Sequence, residues 1–106
     1  MLRSVGQTSV TEQGMDPRTV ELGTAVSRLR RELAGYQNEF RDRAIAEDEL
    51  AALAAMVAAG APETARMRRS LLLIVGSIGS VSALAQPLMN VRNAVDLFGE
   101  HQPPSR

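Results

Sequence analysis

The chain predicts an all-α fold: an antiparallel helical bundle of three to four helices, with a long C-terminal helix kinked or broken near Pro87. Three observations carry this reading. Apolar residues recur at alternating spacings of three and four along most of the chain, which is the period of a helix and not of a strand. Tyr36, Phe40 and Phe98 are the only aromatic residues while alanine is abundant, and alanine is the strongest helix former whereas aromatic and β-branched residues favour strands. Residues that start and stop helices stand where the periodic runs begin and end.

Residues 1–15 are polar, rich in Ser, Thr and Gln, and read as a flexible tail without the apolar run of a secretory leader. Asp16 then offers a capping side chain, and Pro17 sits at the first helical position, which tolerates its missing N–H. The first helix is expected over residues 17–37, with a heptad seam of Leu22, Val26, Leu29, Leu33, Tyr36 and Phe40. The second is expected over residues 45–59, burying Ala46, Leu50, Leu53 and Val57. Glu47, Asp48 and Glu49 would stand in its first turns, where the helix dipole favours carboxylates. Gly60 and Pro62 end it. A third, much longer helix runs from residues 62–63 to Gly99, with apolar positions at Leu71, Ile74, Ile78, Val81, Leu84, Leu88, Val91, Val95 and Phe98. Pro87 would kink or break it near Ala85-Gln86, since proline removes one helical hydrogen bond and disfavours helix in the residue before it. Residues 100–106, with Pro103-Pro104, read as a second tail, which leaves residues 16–99 as the helical domain.

A length of 106 residues makes this one small domain. Twelve basic residues, all arginine, balance twelve acidic ones, and a net charge of zero argues against a dedicated nucleic-acid binder. It also favours association, because self-repulsion is low. The chain has no cysteine, hence no disulfide, thiolate metal site or cysteine nucleophile. The single histidine, His101, lies in the C-terminal tail, so no Ser-His-Asp arrangement can be assembled from the helical domain. No cofactor, metal site or enzymatic activity is expected, and a cytoplasmic location is.

Four constellations could carry chemistry or a binding role. Gly76 to Ser80 (GSIGS) lacks both the preceding strand and the Lys-Ser/Thr of a phosphate loop. Helical spacing instead places Gly76, Ser80 and Ala83 on one face, where small side chains would let another helix backbone come close. The uncharged run over residues 70–91 is long enough to span a bilayer, but Gln86, Pro87, Asn90 and four serines weigh against that. Arg28, Arg30 and Arg31, and likewise Arg66, Arg68 and Arg69, are expected to pair with Glu32 and Glu63 along the helix surface. Glu47, Asp48 and Glu49 point about 100° apart on a helix and cannot converge on a substrate.

The segments VELGTAVSRLRRELAG, AEDELAALAAM, RMRRSLLLIVGSIGSVSALA and VRNAVDLFG resemble a small uncharacterised protein family of actinobacteria, of streptomycete type, over residues 20–99. That resemblance implies no assigned activity and transfers no functional residues. The pattern is also similar in style to small helical adaptor domains that accompany bacterial signalling NTPases and proteases. The expected function is a non-catalytic interaction or assembly module acting through helix–helix packing, with a second copy (as a dimer) or another helical protein as partner. A membrane-associated protein using residues 70–91, and a nucleic-acid accessory protein, are the alternatives. The residues expected in the core or at an interface are Leu22, Val26, Leu29 and Leu33 from the first helix, and Ile74, Gly76, Ile78, Ser80, Val81, Ala83, Leu84, Leu88 and Val91 from the last.

Overall fold

In the computed structural model, residues 16–60 and 62–99 are described and form four α-helices joined by short connections, with no strand among them. Helix α1 spans Pro17–Gly35, α2 Arg43–Ala59, α3 Thr64–Ile78 and α4 Ala85–Gly99, with a 3₁₀ turn over Ser82–Leu84 leading into α4. Each helix packs on two others in the cyclic order α1, α2, α3, α4. Chain direction alternates around this ring. Gly23, near the start of α1, faces Val57, near the end of α2. Arg18, at the start of α1, lies over Phe98, at the end of α4. Arg68, early in α3, reaches Gly99, the last residue of α4. The two expected tails lie outside the described residues.

Local chemistry explains the boundaries. The Asp16 carboxylate accepts the Arg18 backbone N–H at 2.8 Å, satisfying one of the donors that a helix start leaves without a partner. Helix α1 stops at Gly35, and its last carbonyls are taken by Arg43, whose guanidinium donates to Leu33 O at 2.6 Å and Tyr36 O at 3.0 Å. Because Arg43 is anchored in this way, α2 begins two residues earlier than expected. Glu47, Asp48 and Glu49 therefore sit beyond its first turn, where the helix dipole favours them less. Gly60 closes α2 in the left-handed conformation at φ 74°, donating its N–H toward Met56 O and Val57 O.

The C-terminal stretch expected as one long helix is broken, and the four-helix alternative is the one realised. The break lies at Gly79–Val81, upstream of the expected Ala85-Gln86. Gly79 and Ser80 form a turn, and Val81 is extended at φ −90°, ψ 101°. A Cβ on Gly79 would run into the Val75 carbonyl oxygen, so this turn requires glycine. Pro87 falls in the first turn of α4, where its missing N–H would have had no intrahelical partner in any case. The proline is thus buried at a helix start instead of breaking a helix.

The core is built from Leu22, Val26, Leu29 and Leu33 of α1, Ala46, Leu50 and Leu53 of α2, Met67, Ile74 and Ile78 of α3, Leu84 of the 3₁₀ turn, and Leu88, Val91 and Val95 of α4. Tyr36 and Phe40 pack at its edge with their rings edge to face, 5.9 Å apart. Ser70 is fully buried, and its hydroxyl donates to Glu49 at 2.8 Å, tying α3 to α2. Every buried side-chain polar atom among the described residues has a partner.

Candidate interaction surface

The expected core and interface residues divide into two sets. Leu22, Val26, Leu29, Leu33, Ile74, Ile78, Leu84, Leu88 and Val91 are buried, and Val81 is partly buried against them. Gly76, Ser80 and Ala83 are exposed instead. A Cβ on Gly76 would meet nothing within 4 Å, so this face of α3 packs against no other helix among the described residues. The close helix approach within the chain is at Gly23 of α1, where an added Cβ would come 3.1 Å from Val57 Cγ1. Periodicity singled out a run of small residues, whereas the glycine that closes the α1–α2 contact stands alone between larger neighbours.

The charged groups make a small number of local contacts among the described residues. Among the described residues the ion pairs are Asp16–Arg18 at 2.6 Å and Arg43–Glu47 at 3.2 Å. Neither Glu32 nor Glu63 pairs with the arginine clusters as expected. Exposed ion pairs contribute little to hold long side chains together, and Arg68 lies against Gly99 of α4 instead. The side-chain hydrogen bonds from Arg18, then its backbone N–H, hold the Asp16 carboxyl down from its ordinary 3.8 to about 2. The same pairing raises the pKa of Arg18, which lies 4.9 Å from the Phe98 ring centroid. Glu49 bonds Ser70 and Glu47 bonds Arg43, so two of the three consecutive carboxylates have structural partners.

A shallow groove of about 400 Å³ runs between α1 and α4, lined by Glu21, Thr24, Arg28, Asn90, Asn93 and Leu97 among others. Among the described residues its one carboxylate, Glu21, has no second carboxylate and no histidine beside it. No cluster of His, Cys, Asp and Glu among the described residues could hold a metal ion. No described helix is long and apolar enough to cross a membrane, because the break at Gly79–Val81 divides residues 70–91 between α3 and α4.

The outward face of α3 is the most conspicuous surface feature. Leu72 is 71% exposed, and Leu73, Val75 and Gly76 are exposed beside it. Ile45 of α2 and Met89 of α4, on the two helices that pack against α3, are exposed as well. The Glu49–Ser70 bond sets the α2–α3 register. Ile45, one turn before Glu49, is therefore level with the turn after Ser70, beside Leu73. The Arg68–Gly99 approach similarly brings Met89 level with the last turns of α3. Leu72, Leu73 and Val75 are thus an exposed apolar group on α3, with Ile45 of α2 and Met89 of α4 exposed at these levels on the two helices packed beside it.

These features define a small up-and-down four-helix bundle whose described helices share one core and leave apolar side chains exposed on α3. The chain belongs to a family of unknown function (DUF5955), whose model matches residues 11–99. The resemblance to a small family without assigned function therefore holds at that level. No curated protein matches the chain, and no solved structure does.

Proposed function

We propose that this protein is a non-catalytic interaction or assembly module that acts by packing a helix face against a partner and that it self-associates. The observation behind this reading is the exposed apolar group of Leu72, Leu73 and Val75 on α3, with Ile45 and Met89 exposed on the helices packed beside it. The bundle has already buried a continuous core from all four helices, so these side chains are not left over from incomplete folding. Scattered exposed apolar residues are ordinary on any protein, whereas a contiguous group marks an association surface. Zero net charge adds no long-range repulsion between copies.

Sedimentation equilibrium in detergent-free buffer, from micromolar to near-millimolar chain, tests this. The expected result is a mass that rises with concentration to a defined oligomer. A single-chain mass throughout the range would set self-association aside.

A further inference from the structure

We infer that the partner covering the outward face of α3 is the same face of a second copy, with the two α3 helices antiparallel about a two-fold axis near the level of Ile74. This rests on the self-association reading and adds the face, the partner and the orientation. The face is self-complementary in shape. Leu72 is the most exposed large apolar side chain of the described residues, and Gly76, one turn further along the same face, has open space where a side chain would stand. A two-fold axis midway between them sets Leu72 of each copy into the hollow over Gly76 of the other. One contact is then made twice, as an isologous interface requires. Val75 and Leu73 lie on either side of this pair on α3, and Ile45 and Met89 are exposed on the helices packed beside it, so the contact can extend over further apolar side chains.

The charge on α3 selects the orientation. Arg69 lies on the exposed face near the start of the helix, and the last turn carries no basic residue. Antiparallel pairing brings Arg69 of each copy to the Gly79 end of the other. There the last-turn carbonyls concentrate the negative end of the helix dipole. Parallel pairing would stack Arg69 on Arg69 and leave both carbonyl ends without a cation. A membrane surface would accept the same leucines, but it offers no counterpart to the hollow at Gly76.

Analytical ultracentrifugation of the full chain and three variants tests the face. Leu72→Glu is expected to raise the dimer dissociation constant at least about thirtyfold, as the loss of a central apolar anchor does. Gly76→Leu is expected to do likewise by filling the hollow, without lowering the melting temperature of the dilute, monomeric chain. Val20→Glu, on an exposed apolar residue of α1, is expected to leave the dimer intact. If Val20→Glu dissociates the dimer and Leu72→Glu does not, the α3 assignment is overturned while self-association stands. A wild-type chain that stays monomeric overturns both, as does one whose Leu72 is needed only to co-sediment with phosphatidylglycerol vesicles.

Orientation is read separately from a spin label on Ala65→Cys, in a chain that otherwise has no cysteine. Antiparallel pairing about Ile74 places the two labelled backbones about 27 Å apart along the helices, whereas parallel pairing leaves them about 10 Å apart. The shorter distance would overturn the antiparallel arrangement.

Discussion

At the scale of single residues, two glycines of one helix run have opposite meanings. Gly76 lies within α3 with open space around its missing Cβ, so it carries the entropic cost of glycine in a helix with no steric return inside the chain. Gly79 has the Val75 carbonyl oxygen where its Cβ would go. Gly76→Ala is therefore expected to stabilise the dilute, monomeric chain by about 0.5–1 kcal/mol, and Gly79→Ala to destabilise it by about 1–3 kcal/mol. Urea melts of both variants at low concentration check the signs, and a stabilising Gly79→Ala would show that the turn can relax. Arg43 makes a similar point for a charged residue. It joins α1 to α2 through the Leu33 and Tyr36 carbonyls, an ion pair with Glu47 and a position over the Phe40 ring. Hydrogen bonds from a charged donor contribute about 1.5–3 kcal/mol each, and part of that loss is recovered by water in a half-buried site. Arg43→Ala is accordingly expected to cost about 2–3 kcal/mol in chemical denaturation. Arg43→Lys should recover only part of this, because an ammonium group lacks the planar fork that spans two carbonyls. None of this was legible in the sequence, where Arg43 looked like one more residue of a connection.

At the scale of elements, helix starts and stops were mostly legible because capping chemistry is local. Asp16-Pro17 and Gly60 mark boundaries in the structure as they do in the sequence. The α3–α4 break comes earlier than the sequence suggests, for a physical reason. Both helices turn their apolar faces to the same core, so the apolar spacing runs on through the turn and hides it. Pro87 looked like the breaker, yet a proline is also a favoured helix starter, and only its position relative to Gly79 decides between the two. The N-cap of α1 gives a pH test. The carboxyl of Asp16 has a folded-state pKa depressed to about 2 from 3.8. A depressed pKa means that the folded chain binds a proton less readily than the unfolded one. The cap's contribution is thus fully present above the ordinary value and is lost as pH falls through 3.8 toward about 2. Melting temperatures of the wild type and Asp16→Asn should differ most near neutral pH, draw together below 3.8 and converge only as pH falls to about 2. A gap that stays constant down to that pH would show that the charge on Asp16 plays no part in capping.

For the whole molecule, the class was readable and the surface was not. Heptad spacing reports which residues of one helix share a face, and that sufficed for Leu22, Val26, Leu29, Leu33, Ile74 and Ile78. It does not report which of several apolar faces the bundle leaves uncovered. Leu72, Leu73 and Val75 stand in the same unbroken apolar run as Ile74, and only the packing of α3 on α2 and α4 turns them outward. That arrangement links association to stability. A partner that binds only the folded chain stabilises it by an amount that grows with the logarithm of its concentration. The melting temperature of the wild type should therefore rise with chain concentration. A hundredfold increase above the dissociation constant corresponds to about 2.7 kcal/mol, enough to move the midpoint of a domain this size by several degrees. Leu72→Glu should melt at the same temperature at every concentration and match the wild type at high dilution. Its side chain is mostly in solvent, so the isolated fold loses little by the change. Calorimetry over the widest accessible concentration range is the measurement. A wild-type midpoint that does not move would mean that the outward face of α3 contributes nothing through a second copy. A Leu72→Glu midpoint below that of the dilute wild type would mean instead that Leu72 supports the bundle itself.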